Sequence, residues 1–325
     1  MPKAQKPSKA KLLAKILLLL LSLLLLAIFL LALLGLFHLS LWLTIPIVLA
    51  YVFVLKKLPH HFKPLLILPL LLFLGLLLWR VSLQPSTTRN WPTELKNLAT
   101  STTAGSTLTI KNYRNFDWTQ EPPLERWQNK AFSLEELSSV DLLIVPLTGS
   151  NTFAHVMLTF HFGDTEQLSI SIEARREVNE PYHVIPGSLN QFELIHILGS
   201  EEDLFTLRTH HRDSHIYRFP LKLDLERQHS LLKRLLDRTN ELAVTPAFYR
   251  SFSHNCTTAL IKEADVILEQ MDGNPLELHI ESIFTAHIAY GLHRQNLLQH
   301  PSSKPLILKK FLTATPHKES KHSEN

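Results

Sequence analysis

The sequence predicts an α+β fold for its water-facing part, carried behind an N-terminal anchor of three transmembrane helices. Three observations lead there. Apolar runs dominate residues 16–80, strand-type alternation is concentrated between residues 140 and 198, and helix-type periodicity follows it over 223–242 and after Cys256. Strands grouped ahead of helices read as α+β rather than as a βαβ repeat.

The anchor is read first. Residues 1–15 are a basic tail holding Lys3, Lys6, Lys9, Lys11 and Lys15. The run 16–37 is apolar apart from Ser22. At ~1.5 Å per residue it is long enough to cross a bilayer core. It is too long for a signal-peptide core, and no small-residue cleavage site follows, so it reads as a retained span. His38-Leu39-Ser40 turns the chain into a second run, 41–55, with Pro46 inside it; a third run covers 64–79 and ends at Trp79-Arg80. Lysines lie in the N-terminal tail and at Lys56, Lys57 and Lys63, and none lies between the first two runs. Basic loops stay cytoplasmic, so the N-terminus is expected inside and the chain after Arg80 outside. The third run is short for a span; were it re-entrant, the soluble part would face the cytoplasm.

Residues 81–110 are rich in Ser and Thr with little periodicity and read as a linker; 111–298 form the soluble domain and 299–325 a polar tail. Asn112-Tyr-Arg-Asn-Phe-Asp-Trp118 has no clear period. It reads either as a packed domain edge or as a ligand-contacting loop. Residues 134–137 suggest a short helical turn. Strands are expected over 140–147, 152–161, 167–174, 193–198 and 216–219, with Gly163-Asp164-Thr165 as a hairpin turn. Helices are expected over 201–208, 223–242, part of 275–290, and after Cys256, where Leu260, Ile261, Ala264 and Ile267 share one side.

The chain of 325 residues holds one cysteine, which excludes an internal disulfide and a multi-cysteine metal site. The net charge of +4 comes partly from the N-terminal lysines, and no basic stripe with interleaved aromatics argues for nucleic acid. The histidines are scattered, and the adjacent pairs His60-His61 and His210-His211 do not share a face, so neither a metal site nor a cofactor is expected.

Cys256 sits where a helix should begin, after Ser253 and Asn255, both good cap types. Unpaired N–H groups and the helix dipole favour thiolate there, and the N–H groups of Cys256 and Thr257 are placed to hold an oxyanion. The alternative is a buried structural cysteine, common for a free thiol. If the hairpin turns about Asp164, His155 opposes Glu173, with Cβ atoms ~5 Å apart. The carboxylate then fixes the ring tautomer; the alternative is an ordinary cross-strand polar pair. Arg175 shares the Glu173 face and Arg176 the other.

Together these are the parts of a Cys-His-acid site, in the chain order His, acid, Cys. Ordinary papain-like enzymes place Cys first, so the order resembles a circularly permuted papain-like (NlpC-like) arrangement, the branch that includes lecithin:retinol acyltransferase. Five separated motifs go further. Asn112-Tyr-Arg-Asn-Phe-Asp-Trp, Ala154-His155-Val-Met-Leu-Thr-Phe, Ile170-Ser-Ile-Glu173-Ala-Arg175-Arg-Glu177, Leu207-Arg-Thr and Asn255-Cys256-Thr-Thr look like the periplasmic domain of the Lnb-type lipoprotein N-acyltransferase family. The resemblance covers roughly residues 110–270. It implies a multi-pass bacterial inner-membrane protein with a periplasmic catalytic domain. It also implies acyl transfer from phospholipid, through a thioester, to the N-terminal amine of a diacylglyceryl lipoprotein. In that reading Cys256 is the nucleophile, His155 the base and Glu173 its orienter, and Arg114, Arg175 and Asn255 are candidates for substrate contact. The same triad serves a cell-envelope amidase or peptidase. A tethered binding domain with Cys256 as core filler needs no triad.

Overall fold

The computed structural model describes residues 63–147, 150, 152–210, 212, 214–272, 276 and 284–299, with residues 13, 16 and 17. The basic tail, nearly all of the runs 16–37 and 41–55, and the polar tail after residue 299 lie outside the described residues. Two compact units result. One contains Lys63–Ser82, a single 20-residue helix (α1), with His183–Gln191 and Arg250–Ser253. Among the described residues no helix is long and apolar enough to cross a membrane, so the three-helix anchor stays an expectation of the sequence.

The other unit holds Pro85–Tyr182, Phe192–Tyr249 and the chain from His254 on. It is mixed α+β, built on an eight-stranded sheet in the order β1-β2-β7-β6-β5-β4-β8, with β3 also paired to β2. The strands are β1 (Thr100–Ala104), β2 (Thr107–Arg114), β3 (Trp127–Ser133), β4 (Leu137–Pro146), β5 (Ala154–Phe162), β6 (Glu166–Arg175), β7 (Glu193–Gly199) and β8 (Tyr217–Pro220). In chain order the helices after α1 are α2 (Thr93–Lys96), α3 (Val184–Ser188, in the first unit), α4 (Glu201–Thr209), α5 (Leu225–Val244), α6 (Cys256–Asp272) and α7 (Ile288–Arg294). The turn expected at 134–137 is a 3-10 turn at Leu134–Glu136.

Alternation along the central strands buries both faces of the sheet. Leu142, Ile144, Val156, Leu158, Ile170 and Ile172 pack with Leu231, Leu235 and Leu260 from α5 and α6. Leu143, Val145, Met157, Ile195 and Ile197 pack on the other face with Leu204 of α4. The period of two along each strand therefore sorts side chains between two cores.

The stretch 81–110, expected as a linker, is a correction. It contains α2, β1 and the start of β2. Alternating threonines suit an edge strand, and Gly105-Ser106, with Gly105 at φ +59°, makes a two-residue hairpin that pairs Ala104 with Thr107. β2 meets β7 at a single parallel bridge, Arg114 to Gly199, where a Cβ on Gly199 would come within 2.6 Å of the Arg114 carbonyl oxygen.

Candidate active site

β5 and β6 form the expected hairpin. Met157 pairs with Ser171 and Phe162 with Glu166, where the paired ladder runs; His155 and Glu173 lie just beyond its end, at positions that the same register would set opposite each other. Their side chains meet at 3.5 Å between Nε2 and Oε1. The closer contacts run through Ser171, which the sequence reading missed. Ser171 Oγ donates to Glu173 Oε1 at 2.8 Å and lies 2.7 Å from His155 Nε2. Arg208 on α4 closes the group, donating from Nη2 to Glu173 Oε1 at 2.7 Å and to Ser171 Oγ at 3.1 Å.

Proton accounting assigns the tautomer. The serine hydroxyl has one proton, and it goes to the carboxylate. Ser171 Oγ must then accept from His155 Nε2–H, which leaves Nδ1 with its lone pair as the ring's basic nitrogen. Glu173 thus orients His155 mainly through Ser171, not by the direct contact the register suggests.

Electrostatics point the same way. Burial pushes the His155 imidazole down to about 4, against the pull of Glu173, with Arg208 and Arg212 adding to the depression. Burial raises the Glu173 carboxyl, but His155, Arg208, Arg212 and the Ser171 hydroxyl outweigh it and hold it well below the usual carboxylate range. Glu173 is therefore ionised and His155 neutral at physiological pH.

Cys256 opens α6, and Asn255 is the cap: its Oδ1 accepts from the N–H groups of Thr257 and Thr258, each at 2.9 Å. This corrects two expectations. Asn255 is engaged in capping rather than in substrate contact, and the Thr257 N–H expected in an oxyanion hole is already taken. Cys256 is buried, and burial raises its thiol despite the opposing backbone hydrogen bond from Val156 and the Thr257 hydroxyl. Desolvation therefore wins over the helix terminus that was expected to favour thiolate. The resting pair is a neutral thiol and a neutral imidazole.

All three groups line one cavity of about 320 Å³ at the end of β5 and β6. Ala154, Ile172 and Leu207 supply apolar wall, and Tyr182 and Tyr249 face each other edge-on with ring centroids 6.1 Å apart. Burial, then the nearby Cys256 and Tyr182, push the Tyr249 hydroxyl well above its ordinary value.

Arg114 and Arg175, expected to contact substrate, are corrected too. Arg114 is buried and donates from Nε and Nη2 to both oxygens of Asp203, at 2.9 and 2.8 Å, and from Nη1 to the Glu94 carbonyl. Phe116 N and Trp118 Nε1 complete the shell around Asp203. The unplaced stretch 112–118 is therefore a packed edge. Buried Arg175 donates to the carbonyls of Leu95 and Lys96 and stacks over Trp91. The two arginines hold the end of α2, inside the supposed linker. Arg176 lies past the end of β6, so alternation no longer governs it, and it lines the cavity beside Glu173.

Fold and cavity define an α+β domain that gathers a thiol, an imidazole and a carboxylate at one end of a sheet. Residues 124–284 match the family model described as the Lnb N-terminal periplasmic domain, the family that the motifs resemble. No match was found among curated proteins, and none among solved structures.

Two outcomes follow from the geometry. Ser171→Ala removes the acceptor of His155 Nε2–H and leaves Glu173 at 3.5 Å. Turnover should fall by about 10- to 100-fold, the usual cost of losing an orienting partner. Equal turnover in both proteins, measured on the same ester, would reduce Ser171 to packing. The second outcome concerns acid. The folded imidazoles of His155 and His196 are depressed by burial to about 4 and about 3, from 6.5. Between those values the unfolded chain binds protons that the folded chain does not, so stability falls as pH drops through this window. Glu173, held low, adds loss in the same direction at the acid end. The urea midpoint should decline steadily from pH ~6.5 to ~4; a flat profile would contradict the burial of these rings.

Proposed function

We propose that the chain is a membrane-anchored acyltransferase of permuted papain-like design. It moves a fatty acyl chain from phospholipid, through a Cys256 thioester, to the N-terminal amine of a diacylglyceryl lipoprotein. The observation that carries this reading is the shared cavity: Cys256, His155 and Glu173 line it together, on a domain of the Lnb type.

His155 Nδ1 takes the Cys256 proton as the sulfur attacks the donor ester carbonyl. The Val156 N–H favours the charged form of the sulfur and so supports the charge that develops there. Collapse of the tetrahedral adduct breaks the ester bond, and His155 returns the proton to the departing lysolipid oxygen. The neutral acceptor amine then attacks the thioester and loses a proton to Nδ1. The C–S bond breaks, and the thiolate regains its proton from the imidazolium. The imidazolium formed in each half lies beside ionised Glu173, with Ser171 between them, so the charge it develops is met by a fixed one. The three-span anchor, with the domain on the periplasmic side, keeps both lipid substrates in the bilayer.

Cavity polarity favours one second reading. Glu94, Arg176 and Arg212 lie on the wall, and a polar cleft suits an amidase in which water replaces the amine. One experiment separates them. The full chain is reconstituted in liposomes with a diacylglyceryl lipopeptide, and products are followed by mass spectrometry. N-acyl lipopeptide and lysolipid in equal amounts are expected. Free fatty acid or cleaved peptide without N-acylation would exclude transfer.

A further inference from the structure

Arg208 is buried on α4, and a buried cation is costly unless it is paired. Its Nη1 donates to the Leu204 carbonyl, one helical turn back, at 2.8 Å. Its Nη2 meets two groups of β6, Glu173 Oε1 at 2.7 Å and Ser171 Oγ at 3.1 Å. The two protons of that nitrogen serve both oxygens.

Two proton arrangements fit these distances. In the first, the Ser171 hydroxyl donates to Glu173 and accepts from His155 Nε2–H and from Arg208. This uses the hydroxyl proton and both lone pairs. In the second, the hydroxyl turns to His155 Nε2 and the ring proton sits on Nδ1, which then has no lone pair to offer the thiol. A carboxylate forbids the second, because it only accepts and would face a bare hydroxyl oxygen at 2.8 Å. A neutral carboxyl allows it, because it is a weaker acceptor than imidazole and brings a proton of its own.

The arrangement therefore turns on the charge of Glu173, and burial alone favours its neutral form. Among the described residues, the groups that act on it are His155 of β5, Arg208 of α4, Arg212 beyond α4, Tyr249, Cys256 of α6 and Ser171 of its own strand. At neutral pH the imidazole, the thiol and the phenol carry no charge. Arg212 is exposed, where solvent screens it. Arg208 is in direct contact and stays a cation, since burial lowers its guanidinium only to about 10 against the pull of Glu173.

We infer that Arg208 is a positioning residue: through Glu173 and Ser171 it determines which nitrogen of His155 is left basic. It acts two contacts away from the thiol proton. The inference holds for any reaction that starts at the Cys256 sulfur; only the rate arm of its test rests on the acyl-transfer reading.

The test uses the full chain in liposomes, with Arg208→Met and Arg208→Lys beside the wild type. The first readout is the nitrogen NMR spectrum of isotope-labelled histidine at neutral pH, with the His155 signals identified by their loss in His155→Gln. Wild type should carry the proton on Nε2, and Arg208→Met on Nδ1. Arg208→Lys keeps the charge and should match wild type. The second readout is kcat/KM for N-acylation against pH. Activity needs ionised Glu173, whose carboxyl rises once the cation is gone. The acid limb of Arg208→Met should therefore move up by about 1–3 pH units, the usual effect of one close charge. A guanidinium that merely props the helix would scale the profile down without moving it. Glu173 can take up a proton when the cation leaves, so Arg208→Met need not hold an unpaired buried charge. Should it still fail to fold, Arg208→Gln is read in the same way. An Nε2 proton retained in the neutral variant overturns the inference, whatever the rates. If wild type forms no N-acyl product at any pH, acyl transfer falls and the spectrum still decides the role of Arg208.

Discussion

Cys256→Ala should eliminate acyl transfer, by more than about 10³-fold, while the domain stays folded. The sulfur is the only thiol in the chain, so no neighbour can replace it. It is buried, and alanine is smaller by one atom, so the packing around Ala259 and Leu260 is barely disturbed. The helix start survives because the Asn255 side chain, not the cysteine, caps it. His155→Ala should match the loss, since a raised thiol protonates fully without its base. Intact-protein mass spectrometry adds a second readout. Wild type incubated with donor alone should gain one acyl mass that hydroxylamine removes, and Cys256→Ala should gain none. Transfer at the wild-type rate in the alanine variant would end the proposed chemistry outright.

Asp203→Ala should be the most destabilising single change, at about 3–5 kcal/mol. The carboxylate is fully buried and accepts four hydrogen bonds, two from Arg114, one from Phe116 N and one from Trp118 Nε1. Removing it leaves the Arg114 charge buried without a partner and orphans an indole N–H. Urea unfolding followed by far-UV circular dichroism gives the number. A shift below about 1 kcal/mol would show that the guanidinium finds water instead. Arg114→Met on the same background supplies the control. If uncompensated charge is the cause, the double variant should be less destabilised than the two single effects summed.

The hairpin was legible because its turn is marked by Gly163, which adopts φ +57°, and because alternation on either side leaves one register that buries the apolar face. That register places His155 opposite Glu173. Ser171 was within reach of the same reasoning, since it lies two residues from Glu173 on the same strand face. A small polar residue in a strand carries no signal of its own, however, until a partner is known. The cap at Asn255 was legible for the reason capping is local: the acceptor and its two N–H groups lie within four residues. Arg114 and Asp203 stand 89 residues apart, and nothing near either one announces the other. The same holds for Arg208, which is 35 residues from Glu173. The state of the thiol was misjudged because a helix start can be read from neighbours in sequence, whereas burial depends on segments brought in by the fold.

The clamped end of α2 changes where this domain begins. Glu94 and Leu95 form part of the wall around the candidate nucleophile, and Arg114 and Arg175 hold their carbonyls. A fragment cut at residue 111, the boundary that composition suggests, would lack β1, half of β2 and one side of its own reaction chamber. Excision at Pro85 keeps all of these together.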